Sequence, residues 1–391
     1  MRDFAAESRC PTFVRPFHRY WYPLVTSVES HLVVSRTQRF FQLDNVSGKS
    51  KNVLGKLSYI FFCLATSLGE DAYYFLPLLY WYCLPIAITF STAFGLVVTA
   101  GQFVKDVSCL PRPPKVFKFK GKDYYIAKLE NHFNTEYGLP STHAMSGSLV
   151  FVVLIKLEKL GILSDKGRYY IPILGTFVTL SCALSRLYMG VHSIYDVIFG
   201  LLLACVLQAC VLIPYGEDMD TFLYQNEYGI FATLLILLWF TTLYPKTSPW
   251  SASWGTACQL FGVWLGSALG LYYVFLIKPE LAAILSQSSL LHVPVKSWNW
   301  PILVKKTTLG GFLLLLTREV ARRSTQALTI SLLRRGVVSV PKGETVDTEG
   351  KPVPLNKLYA VEVPTRLVSY ASMTIATVVL VPLAWRWLGL L

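Results

Sequence analysis

The chain has 391 residues, of which 53% are hydrophobic and only 15% charged, against about 25% charged in an average soluble protein. With a mean hydropathy of +0.46, this excludes an ordinary soluble domain and predicts an all-α, polytopic transmembrane bundle. The formal charge of +13 admits nucleic acid, anionic lipid or an anionic substrate as partner, but nucleic acid is excluded because the basic residues sit between apolar stretches and not on one soluble face.

Residues 1–56 form a polar N-terminal segment with Arg2, Arg9, Arg15, Arg19, Arg36 and Arg39. It has neither the short apolar run nor the small-residue cleavage site of a signal peptide, so targeting is expected to depend on the first membrane span. A span needs about 20 mainly apolar residues. The first candidate is 57–82, interrupted at Gly69-Glu70-Asp71, and the second is 84–104. A polar, aromatic and basic loop follows over 105–139. Further candidates are 143–163, 169–189, 193–214, 228–244, 256–277, 301–318 and 366–385, which makes about nine spans. The segment 278–300 is ambiguous and fits a re-entrant stretch, and 319–363 reads as a polar basic loop outside the membrane. The chain thus divides into the N-terminal segment, a core over 57–214 that holds every chemically suggestive cluster, and additional spans over 215–391.

Cysteine usage is uninformative: the eight cysteines lie mostly in apolar runs, where the thiol acts as a small hydrophobe. No Cys/His ligand spacing indicates a metal site. If 143–163 and 169–189 form a hairpin, its tip carries Lys156, Lys159, Lys166 and Arg168. The positive-inside rule places that tip in the cytosol, although the loops 105–139 and 319–363 are basic as well. The sequon Asn45-Val46-Ser47 offers a reporter for the side of the N-terminus.

Three polar clusters stand at span boundaries. The first contains Lys105, Arg112 and the Pro111/Pro113 turn. The second is Pro140-Ser141-Thr142-His143, and the third contains Ser185, Arg186, His192 and Asp196. Ionisable residues at membrane depth are costly and point to function. His192 and Asp196 are four apart, so on a helix they share a face. The carboxylate would then fix the imidazole tautomer and leave the other nitrogen free as a nucleophile. Taken alone, the pair also fits a helix-capping or core histidine. Ser141 and Thr142 precede an apolar run, as helix caps do, and a helix N-terminus attracts anions. There His143 would protonate an alkoxide leaving group, or simply sit at the interface. Arg186 and Arg112 can grip phosphate oxygens bidentately, with Lys105 as a point charge. Lys105 alone equally fits a snorkelling lysine.

Together, Lys105-x6-Arg112-Pro113, Pro140-Ser141-x-His143 and Ser185-Arg186-x5-His192-x3-Asp196 resemble the three-part signature of the type 2 phosphatidic acid phosphatase superfamily, over residues 105–196. The flanks Asn134-x-Glu136-Tyr137 and Tyr188-Met189-Gly190, and Thr142 where the superfamily usually has Gly, resemble its sphingosine-1-phosphate (long-chain-base-1-phosphate) phosphatase branch. The resemblance implies a metal-independent phosphatase with no cofactor, in which His192 attacks phosphorus to give a phosphohistidine. It implies His143 as acid, then base, Asp196 as the partner of His192, and Lys105, Arg112, Ser141, Thr142 and Arg186 around the phosphoryl group. It further implies the endoplasmic reticulum membrane, with the site towards the lumen. A broader lipid or polyprenyl phosphate phosphatase is the alternative within enzymes, and a non-catalytic lipid-binding protein the alternative outside them. A homo-oligomer is left open by the sequence.

Overall fold

The computed structural model describes residues 14–50, 52–70, 74–130, 136–163, 167–244, 252–338, 340 and 353–390. The N-terminal segment forms α1 (Arg15–Val25) and α2 (Val28–Phe40), and α3 (Val53–Glu70) and α4 (Leu76–Tyr82) follow. The next helix, α5 (Leu84–Ser108), ends where Cys109 adopts a left-handed conformation and its N–H bonds Lys105 O at 3.1 Å. Pro111, Pro113 and Pro114 then prevent further helix. A hairpin of β1 (Val116–Phe119) and β2 (Lys122–Tyr125) pairs Phe117 with Tyr124, where the sequence suggests only a loop.

The chain continues with α6 (Thr142–Gly147), α7 (Val150–Lys159), α8 (Gly167–Tyr188) and α9 (Ile194–Leu207). A π-helical turn at Gln208–Leu212 joins α9 to α10 (Ile213–Gln225), and α11 (Glu227–Leu243) returns. The C-terminal part contains α12 (Ala252–Tyr272), α13 (Pro279–Gln287), α14 (Trp300–Arg334), α15 (Tyr359–Ile375) and α16 (Val381–Trp387).

Among the described residues, five helical stretches are long and apolar enough to cross a membrane: Leu84–Ser108, Arg168–Tyr188, Ile194–Gln225, Ala252–Ile277 and Tyr359–Trp387. Val53–Gly69 and Glu227–Leu243 are apolar but shorter. The candidate span 143–163 is divided into α6 and α7, because Ser148 turns its hydroxyl onto Met145 O at 2.6 Å. The expected polar loop at 319–363 is corrected at its start: α14 continues unbroken to Arg334, since 319–334 holds neither Gly nor Pro and Glu319 pairs with Arg322 and Arg323 one turn on. Asp71, Asn134 and Lys166 lie outside the described residues.

Large apolar side chains stay exposed along the outer helices, including Ile173, Phe177 and Leu180 on α8 and Phe231, Leu235 and Leu238 on α11. Patches of this kind demand an apolar solvent, which is the bilayer. Inside, α12 presents Gly262, Gly266 and Gly270 to α15, the small-residue contact that lets membrane helices approach closely. A Cβ at Gly266 would stand 2.4 Å from Ala371 O. Gly266→Leu is therefore expected to destabilise the fold by about 1–3 kcal/mol through overpacking, read as a lowered melting temperature in detergent.

The N-terminal segment is not a free polar arm. Gln38 of α2 is fully buried and donates to Ala127 O at 2.7 Å and Tyr188 O at 2.8 Å, while accepting from Ala127 N at 3.0 Å. Asn45 of the sequon is also buried, donating to Ser35 O, Ser35 Oγ and Tyr125 O at 2.8–3.0 Å. Its amide is engaged in holding the hairpin and is unsuited to carry a glycan in the folded protein.

Candidate active site

Three elements meet at one end of the bundle: the C-terminus of α5, the N-terminus of α6 and the α8–α9 turn. Lys105 Nζ donates to Thr142 Oγ1 at 3.2 Å, joining the first cluster to the second. Arg112 Nη1 donates to Val191 O at 2.9 Å, joining the first to the third. Ser141 N donates to Asp196 O at 3.0 Å, joining the second to the third. All eight residues singled out in the sequence are thus drawn into one region, although 91 positions separate Lys105 from Asp196 in the sequence.

The α8–α9 turn depends on Gly190, whose φ is +72°. An L side chain is strained there, and a Cβ would also lie 2.2 Å from Ala127 O. The turn delivers His192 to a buried position. Asp196 does two jobs at the start of α9. Its Oδ2 accepts from Ser193 N at 2.7 Å while Ser193 Oγ accepts from Asp196 N at 3.1 Å, a reciprocal capping box. The same Oδ2 faces His192 Nδ1 at 3.5 Å. Asp196 thus caps α9, and its Oδ2 stands beside His192 Nδ1 without a hydrogen bond between them.

His192 Nε2 stands 3.3 Å from Arg112 Nη1. A guanidinium can only donate, so Nε2 must present its lone pair there. The proton is then on Nδ1, facing Asp196. Burial first, then the positive charges of Arg112, Arg186 and Lys105 and the nearby His143, hold His192 well below the usual imidazole pKa. The imidazole is neutral near neutral pH, with its Nε2 lone pair turned towards the cations.

Ser141 occupies the N-cap position of α6 but makes no capping bond. Its buried Oγ has no hydrogen-bond partner among the described residues, a costly arrangement that a phosphate oxygen in this pocket would relieve. The helix behind it is short, only Thr142–Gly147. His143 is buried and lines a small cavity with Thr142, Ser146, Gln102 and Gln259. Gly69 of α3 packs directly on it, its would-be Cβ 3.2 Å from His143 Cβ.

Sequence reasoning missed two carboxylates and a lysine. Glu136 bridges Lys105 at 3.1 Å and Arg112 at 3.0 Å. Glu130 pairs with Arg186 through both oxygens, at 3.1 and 2.9 Å. Each cation of the cluster therefore has an anionic partner that offsets the cost of burying it. Thr66 of α3 adds contacts to Arg186 Nη1 at 3.4 Å and Ser185 Oγ at 2.9 Å. Lys128 donates to Gly190 O, and burial, followed by the charge of Arg112, pushes its pKa down to about 7. Glu136 stands within a flank motif legible in the sequence, but nothing there separates Lys128 from other loop lysines. Among the described residues no group of His, Cys, Asp and Glu side chains is arranged to hold a metal ion.

This region coincides with a known domain. Residues 84–217 match the PAP2 superfamily. All three clusters of the PAP2 domain lie within its bounds. Beyond it, similarity runs through most of the chain. Mouse sphingosine-1-phosphate phosphatase 2 is 28% identical over 387 residues, covering 94% of this chain and 99% of that protein. Mouse sphingosine-1-phosphate phosphatase 1 is 26% identical over 362 residues, covering 90% of this chain and 78% of that protein. Arabidopsis thaliana lipid phosphate phosphatase delta is 32% identical over 213 residues, about half of each chain. No solved structure matches.

Proposed function

We propose that this membrane protein hydrolyses sphingosine 1-phosphate and related long-chain-base 1-phosphates to the free base and phosphate. The observation that carries the reading is the neutral His192, its Nε2 lone pair among Arg112, Arg186 and Lys105. Similarity to sphingosine-1-phosphate phosphatases over nearly the whole chain supports the substrate class.

In the first step His192 Nε2 attacks phosphorus and the P–O bond to the lipid breaks. Asp196 stabilises the positive charge that spreads over the ring. His143 gives its proton to the departing alkoxide. Arg112, Arg186 and Lys105 neutralise the equatorial oxygens, assisted by Ser141 Oγ and Thr142. In the second step water attacks the phosphohistidine, His143 takes the water proton, and the N–P bond breaks to release phosphate and regenerate His192. No metal or cofactor enters either step. Glu130 and Glu136 hold the cations in place between turnovers.

Lys128 gives this site a pH dependence of defined sign. With a pKa of about 7 it is positive below that pH and neutral above it, so attraction for phosphate falls as pH rises through 7. Inhibition of the wild type by inorganic phosphate, divided by that of Lys128→Met so that the ionisation of phosphate itself cancels, is expected to weaken over that interval. An unchanged profile in the variant removes Lys128 from the site.

The positive-inside rule applied to Lys156, Lys159 and Arg168 supports a site on the lumenal side of the endoplasmic reticulum membrane. The substrate reading is tested by phosphate release from sphingosine 1-phosphate in competition with lysophosphatidate, phosphatidate and dolichyl diphosphate, with and without EDTA. The expected result is the highest specificity constant for sphingosine 1-phosphate and no effect of EDTA. A preference for dolichyl diphosphate would overturn it.

A further inference from the structure

The helices after the PAP2 domain enclose a second polar chamber, of about 210 Å³, between α12, α14 and α15. The geometry points to a second phosphate-binding site there, distinct from the His192 pocket and taking a phosphate dianion.

Four cations line it: Arg318, Arg322, Lys357 and Arg366. Two carboxylates answer them. Glu362 accepts from Arg366 Nε at 2.6 Å, and Glu319 accepts from Arg322 at 2.9 and 2.7 Å. Among the described residues the chamber keeps a positive balance, the complement of a phosphomonoester or of free phosphate in its dianionic form. Arg318 is held over the ring of Tyr370, 5.2 Å from the centroid. Among the described residues its guanidinium makes a long contact, 3.5 Å to Tyr370 Oη. The ring fixes the plane of the guanidinium while most of its five donors stay available. Thr365 supplies the second, independent sign of a ligand. It is buried, it lines the chamber, and its Oγ1 has no hydrogen-bond partner among the described residues. A hydroxyl left unsatisfied in a cationic cavity is completed by an oxyanion.

The chamber adjoins the active site. Gln259 of α12 lines it and also lines the small cavity that holds His143. At this end of the bundle the ring of Trp254, on α12, lies 6.2 Å from that of Tyr359, at the start of α15. A phosphate held by Arg318 and Arg322 therefore waits beside His143, either as the head group of an arriving lipid or as the released product. This account needs only anion binding and does not depend on which lipid is hydrolysed.

The test is equilibrium binding to the full-length protein purified in detergent. One arm uses radiolabelled inorganic phosphate. The other uses sphingosine 1-phosphate in mixed micelles with the His192→Ala protein, so that no turnover occurs. The doubly substituted Arg318→Gln/Arg322→Gln protein is expected to lose one class of phosphate site, or to bind it about tenfold or more weakly, as removal of charge-assisted bonds dictates. Arg112→Ala/Arg186→Ala should remove a different class. Loss in the inorganic phosphate arm assigns the chamber to free phosphate, and loss in the lipid arm alone assigns it to the head group. Arg318→Lys/Arg322→Lys keeps the charge but loses the guanidinium fork, so it is expected to bind more weakly than wild type and more tightly than the glutamine variant, which separates a lost ligand from a lost fold. Unchanged binding of both probes to the glutamine variant overturns the proposal. A protein that binds both probes but never releases phosphate would refute the catalytic reading and leave this one standing.

Discussion

His192→Ala is expected to abolish phosphate release, lowering kcat/KM for sphingosine 1-phosphate on the order of 10⁴-fold or more, as removal of a nucleophile does. The reason is structural as well as chemical. His192 is the buried imidazole whose Nε2 lone pair faces Arg112 at 3.3 Å and whose Nδ1 faces Asp196 at 3.5 Å. The measurement is phosphate release from purified protein, with a melting curve to show that the variant is folded. Its companion readout is chemical: protein quenched during turnover of labelled substrate should carry acid-labile phosphate, and the variant none. A folded His192→Ala protein with full activity would remove the nucleophile assignment and leave the cationic pocket without its reaction.

His143→Ala is the second large effect, and its signature is selectivity between leaving groups. A sphingoid alkoxide cannot depart without a proton, so loss of the acid should cost about 10²–10⁴-fold on the lipid. An aryl phosphate such as p-nitrophenyl phosphate departs without one, so its first step should be within about tenfold of wild type. That step is read as the burst of p-nitrophenol before the slower hydrolysis of the phosphoenzyme. Equal losses on both substrates would mean that His143 only shapes the pocket. The proximity this demands is supported by the charge influence of His143 on His192 and by Lys105, which reaches Thr142 next to His143 at 3.2 Å. The cationic ring thus spans both histidines.

The two carboxylates near the site modify how the cations are understood. Lys105, Arg112 and Arg186 read in the sequence as three charges waiting for phosphate. In the fold they are held by Glu136 and Glu130. Unpaired cations at such burial would be strongly destabilising, whereas pairing keeps them charged and oriented. Ser141 Oγ, left without a partner, is the complementary case: a polar group whose satisfaction is deferred to the ligand.

Much of this was legible in the residues. Long apolar runs gave the helical membrane class, because a bilayer admits only backbones that satisfy their own hydrogen bonds. The break near Gly69 in the first apolar run and the end of α5 before the prolines were visible as local chemistry. So was the turn at Gly190, which only a residue free to take positive φ accepts easily. The three clusters could be recognised because their residue types and spacings are set locally, at span ends.

The remainder required the tertiary structure, for one reason: partners distant in the chain leave no local trace. Gln38 bonds Tyr188 across 150 positions, so the polar N-terminal segment could not be seen as a support of the site. Asn45 reads as a glycan acceptor until its amide is found buried against Ser35 and Tyr125. Lys128 acquires its lowered pKa only from burial beside Arg112. The arginines of α14 read as a solvated loop until α15 closes over them and makes a chamber. The sequence by itself determined which groups this protein brings to a phosphate. Only the packing of its helices decided which of those groups are paired, which are neutral, and which are left open for a ligand, since charge state and hydrogen-bond saturation depend on what is buried against what.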